Sequence, residues 1–364
     1  MRTVTWKAAR PPASSSSSRE KTEMKLDAGL AVEGKHLPQI DKVGRAAEDL
    51  GFAGLWTSET KHDSFLPLAV AANSTQSLEL GTSVAIAFSR SPMATAQISW
   101  DLQDLSEGRF ILGLGTQVKA HITRRFSMPW DRPAARLKDY VLALRAVWES
   151  FQSEGSLNYE GEFYRHTLIT PFFNPGPIEH PEIPIYIAGV NTRLARLAGE
   201  ICDGFHVHPF HTPEYVRQIV KPAIAEGAKK EKRNPKEVEL ATSVFVITGE
   251  DEEQLEEQRE KTRAQTAFYA STPTYRTVLE VHDWGEVGEK LGKLARDKKW
   301  DEMPELITDE MLHTFAIEAA PDELGPALKE RYEGLIHRIA LYIPFIPGEK
   351  DAFWRTTIER VNEG

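Results

Sequence analysis

The sequence predicts an α/β fold: a single (β/α)8 barrel of the TIM type, interrupted by an insertion after its fourth βα unit. Three observations carry this. From residue 24 onward, short apolar runs alternate with amphipathic stretches, the rhythm of βαβ units and a parallel sheet. Counted along the chain these runs number eight, which favours a closed barrel over an open sheet. Finally, the 364 residues are 41% hydrophobic and 9% aromatic, enough for one large core at a length where α/β barrels stand as one domain.

Residues 1–23 hold Pro11, Pro12 and the run from Ser14 to Ser18 with almost no apolar periodicity, and are expected to be a disordered tail. Arg2, Lys7, Arg10, Arg19 and Lys21 leave an organellar transit peptide open; Glu20 and Glu23 count against it. The barrel domain is placed at 24–364. Its first strand is read at 25–32 and its first helix at 38–50, where Ile40, Val43, Ala47 and Leu50 recur at helical spacing and Gly51 ends the run. Strand 52–57 leads to helix 66–76, strand 78–87 to helix 93–105, and strand 109–114 to the long helix 134–151. Residues 153–184 then break the rhythm with five prolines among aromatics; they read as the insertion, with a hairpin around Gly161. It resumes with strand 185–188 and helix 192–199, strand 204–207 and helix 212–232, and strand 239–247 with the charged helix 252–270. A largely helical stretch over 284–315, helix 322–334 and strand 338–344 complete it.

Lys and Arg number 44 against 54 Asp and Glu, a formal net charge of −10. That balance excludes nucleic acid and anionic membrane as main partners, since both need a basic face. No window approaches the ~20 apolar residues of a membrane span. The single cysteine, Cys202, rules out an intramolecular disulfide and a Cys-based zinc or iron–sulfur site, and points to a reducing, cytoplasmic setting. Cys202 precedes a strand expected to be buried, and no GxSxG elbow is present, so nucleophilic catalysis has little support.

In a (β/α)8 barrel the chemistry sits on the loops that follow the strands. After the second strand, Trp56 to Asp63 carries Glu59, His62 and Asp63, any of which is a candidate general acid or base; solvated loop charges, or a helix cap from Asp63 or Ser64, explain the carboxylates equally simply. After the third strand, Gly81 to Pro92 offers small residues against which a planar ring can lie. The fourth strand ends in Gly113-Leu114-Gly115-Thr116-Gln117, where backbone N–H groups can reach a ligand, although tight packing of a strand end accounts for the glycines too. The fifth runs through Gly189-Val190-Asn191 straight into a helix, so an Asn191 N-cap presents N–H groups suited to an anion. The sixth ends in His206-Val207-His208-Pro209-Phe210-His211. Period two puts His206 and His208 on one side of the strand, but no nearby Cys or carboxylate completes a metal site, so none is assigned and substrate contact or ring stacking is preferred. His121, with Arg124 and Arg125, is a candidate for an anionic group. Phe88, Trp130, His208 and Phe210 point to a partly apolar pocket.

The runs Asp49 to Glu59, Glu79 to Val84, Ser106 to Gly115 and Pro184 to Val190 resemble, in order, the motifs of the bacterial luciferase-like superfamily, with the nearest likeness to oxidoreductases that use coenzyme F420. The resemblance runs from about Lys25 to Phe345. It implies a tricyclic cofactor ring at the barrel mouth, propped by a strand-three bulge that often holds a cis peptide between non-proline residues; Ser83 and Val84 match it. It also implies that Gly115, Thr116 and Gln117 line the ring's polar edge, that Gly189, Val190 and Asn191 approach the phosphate-bearing tail, and that Glu59 stands near the ring. Many relatives carry a histidine directly after that acid, where this chain has Thr60 and delays its histidine to His62. The implied activity is hydride transfer between coenzyme F420 and a small organic substrate, with Glu59, His62 or Asp63 managing the proton and His121, His206 and His208 as substrate contacts. Two alternatives stand beside it: a monooxygenase using reduced FMN and oxygen, and a non-catalytic barrel that binds a partner. A homodimer is expected through the helices near strands two and three, with Leu66, Leu68, Val70, Met93 and Ile98 as the apolar surface on offer.

Overall fold

Parallel pairing runs in a closed circuit through eight strands in the computed structural model, which describes residues 24–30 and 37–363. The expected tail, 1–23, and residues 31 and 32 of the expected first strand lie outside the described residues. In chain order the strands are β1 (Lys25–Gly29), β2 (Gly54–Thr57), β3 (Glu79–Thr82), β4 (Ala85–Ile86), β5 (Phe110–Gly115), β6 (Tyr159–Glu160), β7 (Arg165–His166), β8 (Ile185–Gly189), β9 (Gly204–Val207), β10 (Glu239–Ile247), β11 (Ala316–Glu318) and β12 (Arg338–Leu341). The circuit is β1-β2-β3-β5-β8-β9-β10-β12 and back to β1. Helices cover it outside, the longest being Pro133–Ser153 and Glu252–Ala270.

The expected strand 78–87 is two pieces. A cis peptide joins Ser83 to Val84, where the resemblance expects one, and β4 picks up the pairing along β5 with Ala85 opposite Leu114. Residues 153–184 do form the insertion: β6 and β7 make an antiparallel hairpin, and the Gly161 N–H donates to the Tyr164 carbonyl. Helix Leu66–Ala72 stops short of residue 76, because the hydroxyls of Ser74 and Thr75 bond back to the carbonyls of Val70 and Ala71 and compete with the next backbone turn. Several elements, helix Arg276–Glu280 among them, have no counterpart among those expected from the sequence, and three bear on the barrel. They are helix Lys119–Arg124, strand β11 paired to the far end of β10, and helix Asp351–Asn362, whose Trp354 packs on Phe52 and Phe345. Among the residues expected to offer apolar surface, Leu66 is exposed, Val70, Met93 and Ile98 half-cover the core, and Leu68 is core itself. Leu68 is therefore withdrawn from that surface.

Alternate residues of every strand point inward, and at the N-terminal end they are large or charged. Arg338 is almost fully buried and grips both carboxylate oxygens of Asp27, at 2.8 and 2.7 Å, and also pairs with Glu79. The register puts Gly54 beside Asp27 and Glu79. A Cβ on Gly54 would stand 2.7 Å from Arg338 Nη2 and 2.9 Å from Asp27 Oδ1, so glycine makes room for the fork. Burial alone would raise the Glu79 pKa, but Arg338 and Lys25 outweigh it and hold the carboxyl below its usual range. Beside them Tyr186 donates its hydroxyl to Glu239.

Candidate active site at the barrel mouth

Small side chains replace large ones toward the C-terminal ends of the strands, and a cavity of about 1150 Å³ opens there. Its wall includes Gly29, Ser58, Ser83, Val84, Gly115, Ala188, Gly189, Ser243 and Ala340, and it reaches down to Trp56, His206 and Arg338. Gly115 matters for shape: a Cβ there would lie 2.6 Å from Val84 Cγ2, so only glycine lets β5 pass this close to the cis segment.

All eight residues that the sequence assigned to a cofactor line this one cavity: Ser83, Val84, Gly115, Thr116, Gln117, Gly189, Val190 and Asn191. Asn191 caps helix Thr192–Ile201, its Oδ1 accepting from the Leu194 N–H at 3.1 Å. Three exposed cations that the sequence reading did not select stand on the same wall: Lys119, Arg132 and Arg193. Arg132 is paired with Asp131 and Glu162, whereas Lys119 and Arg193 have no ion-pair partner among the described residues. Their positions, two residues beyond Gln117 and Asn191, were the available signal.

Glu59, His62 and Asp63 are not among the lining residues; Ser58 and Thr60 are. The Glu59 carboxylate is buried, 8% exposed, and its Oε2 accepts from the Ile86 N–H and from Arg90 Nη1, each at 2.7 Å. Asp63 takes the other arm of Arg90 at 2.7 Å through Oδ2, while its Oδ1 caps the following helix through the N–H groups of Phe65 and Leu66 at 2.8 and 3.0 Å. Arg90, which the sequence reading passed over, thus ties both carboxylates behind the bulge. His62 is exposed on the loop. His121 is exposed on Lys119–Arg124 and is likewise absent from the wall.

The three histidines at the end of β9 and just beyond it part company. His206 faces inward at the cavity floor, edge-on to Trp56 at 5.0 Å, with Nε2 lacking a hydrogen-bond partner among the described residues. Burial, helped by the Arg338 charge, pushes its pKa down to about 3, so the ring is neutral. His208 lines the cavity, stacked on Tyr275 with ring centres 4.6 Å apart and edge-on to Tyr269 at 4.9 Å; burial and the neighbouring His211 lower it to about 4. His211 turns away, its Nδ1 within 3.0 and 3.1 Å of the carbonyls of His208 and Pro209. Among the described residues no His/Cys/Asp/Glu cluster fits a metal ion. Trp130 lines the cavity, but Phe88 and Phe210 do not. Both are core side chains one layer back, Phe210 stacked on Phe315 at 4.4 Å and Phe88 edge-on to Trp130 at 6.0 Å. Cys202 is fully buried, its thiol pushed up to about 12 by desolvation, which leaves it unreactive.

Residues 16–338 match the family described as luciferase-like monooxygenase. The chain belongs to that family. An uncharacterized protein of Mycobacterium tuberculosis is 43% identical over 316 residues, covering 87% of this chain and 92% of that protein. The 5,10-methylenetetrahydromethanopterin reductase of Methanolobus tindarius is 27% identical over 321 residues, covering 86% and 93%. Among solved structures, the coenzyme F420 dependent tetrahydromethanopterin reductase of Methanopyrus kandleri superposes with a TM-score of 0.73 at 22% identity, covering 93% of this chain and 98% of that one. Members of this luciferase-like family are oxidoreductases and monooxygenases. No described helix is long and apolar enough to cross a membrane.

Proposed function

We propose that this chain is a hydride-transfer oxidoreductase that holds coenzyme F420 in the barrel-mouth cavity and acts on a small organic molecule beside it. The observation that carries the reading is the fit of one cavity to both halves of such a cofactor. At one part of the wall, Gly29, Gly115, Ser83 and Val84 present small side chains or none. At another part, the N-terminus of helix Thr192–Ile201 with Arg193, and Lys119 and Arg132 on the same wall, give positive potential that favours a phosphate-bearing, carboxylate-ended tail. The likeness to the coenzyme F420 dependent tetrahydromethanopterin reductase of Methanopyrus kandleri supports the same choice.

The bound deazaflavin would supply the hydride chemistry, and the protein supplies position, dryness and charge. Ser83, Val84 and Gly115 would hold the ring. Glu59 acts as a positioning residue, because its bond to the Ile86 N–H anchors the chain just past the bulge and Arg90 neutralises its charge. Trp56 and neutral His206 close the floor without adding charge. His62 is exposed and does not line the cavity, so no proton role is assigned to it.

The second reading is an FMN-dependent monooxygenase, favoured by the family's own description. The two part on cofactor preference, since a deazaflavin lacks the ring nitrogen through which reduced flavins activate oxygen. Fluorescence titration with F420 and with FMN decides between them. Tighter F420 binding is expected, weakened about tenfold in the Lys119→Glu/Arg193→Glu variant with the melting temperature unchanged. Tighter FMN binding overturns the proposal, and binding of neither favours a non-catalytic barrel.

A further inference from the structure

The part of the cavity wall built by the segments after β9, β10 and β12 is uncharged and aromatic, with His208, Tyr269, Tyr275 and Tyr342, and one hydrogen bond on it fixes the direction of another. His208 Nδ1 accepts the backbone N–H of Phe210 at 3.1 Å. A neutral imidazole has one donor and one acceptor nitrogen, and this ring is neutral at physiological pH. Since Nδ1 is spent as the acceptor, the proton is on Nε2. That nitrogen lies 3.1 Å from the Tyr275 hydroxyl, so the bond runs from His208 Nε2–H to the phenol oxygen. The hydroxyl's own proton is left over, with no second acceptor among the described residues, on a side chain that lines the cavity.

The arrangement is rigid. His208 and Tyr275 stack at 4.6 Å with ring planes 30° apart, and the turn behind them is clamped by His211 Nδ1, which donates to the carbonyls of His208 and Pro209. Burial raises the Tyr275 pKa, which keeps the group a donor.

We infer that Tyr275 is the hydrogen-bond donor this cavity presents to its substrate, that His208 is the positioning residue directing that proton into the cavity, and that the acceptor is a neutral carbonyl oxygen. A neutral acceptor follows from the surroundings: Tyr269, Thr274 and Tyr342 complete this wall, whereas the rim cations follow β5 and β8 and would claim a carboxylate or phosphate. The inference rests on reading the cavity as the place where a small molecule meets a cofactor.

Two measurements test it without turnover. In ¹⁵N-histidine spectra, His208 is expected to show a protonated Nε2 and an unprotonated Nδ1; the opposite tautomer overturns the proposal. With acetophenone labelled at its carbonyl carbon, infrared difference spectra of the protein, alone and with F420, are expected to show the carbonyl band shifted to lower frequency. Tyr275→Phe should abolish that shift and weaken acetophenone binding about threefold to tenfold, the worth of one hydrogen bond. His208→Ala should leave Tyr275 in place but broaden the band, and His208→Gln, which can donate from its amide, should restore it. No acetophenone binding, no shift in the wild type, or a shift that survives Tyr275→Phe overturns the inference. Failure of F420 to bind while the shift persists overturns the cofactor reading alone.

Discussion

The floor and the mouth of the barrel are built from the same eight strands with the same alternation, yet they are opposite in kind. At the floor, Arg338, Asp27, Glu79, Tyr186 and Glu239 fill the interior and satisfy one another. At the mouth the inward positions are Gly29, Gly115, Ala188, Ser243 and Ala340, and the polar groups left there, His206 Nε2, the Tyr275 proton, Lys119 and Arg193, have no partner among the described residues. The difference teaches where each end spends its residues. Paired charges at the floor fix register and closure, while the mouth gives up packing to hold something that is not protein.

The sharpest way to break this contrast is Arg338→Met. Leaving Asp27 and Glu79 as unpaired buried carboxylates is expected to cost about 3–5 kcal/mol of stability in urea unfolding, and adding Asp27→Asn and Glu79→Gln should recover much of it. Acid should act at least as strongly, through the histidines at the end of β9 and in the turn after it. His206, His208 and His211 have folded pKa values lowered to about 3, 4 and 4, so the unfolded chain takes up protons first. Their stabilisation is complete above about pH 6.5, falls as the pH drops toward 4 and levels off below it. The slope is expected to be about 1 kcal/mol per pH unit for each histidine, read from melting curves across that range. Gly115→Ala places a methyl against Val84 and should cost about 1–3 kcal/mol; if the mouth is a binding site, cofactor affinity falls by more than that loss of stability explains. Smallest is Asp63→Ala, which removes the acceptor for the Phe65 and Leu66 N–H groups and one arm of the Arg90 pair, together worth about 1 kcal/mol. Turnover that collapses in that variant while the fold holds would return Asp63 to the chemistry.

Much of this was legible in the sequence, for identifiable reasons. Strand and helix periodicity is local, so the eight βα units, the hairpin at Gly161 and the Asn191 cap could be read from neighbours a few residues apart. The glycines at 115 and 189 carried the same kind of signal, since a residue without a side chain at a strand end marks close approach. Arg90 gave no such signal: its meaning depends on Glu59 and Asp63, 31 and 27 residues away. Tyr269 was hidden for a related reason, at the end of a helix whose charge pattern reads as solvated face, and Tyr275 lies in a short connection with no period at all.

The sequence by itself therefore determined the architecture, the order of the units and the small residues that line the mouth, because hydrophobic periodicity and glycine act over a few residues. Only the tertiary structure decided which polar groups face the cavity and which are tied up behind it. Hydrogen bonds and ion pairs between distant segments fix that outcome: the same Glu59 or His208 is a free acid, a prop or a proton director according to what the fold sets beside it.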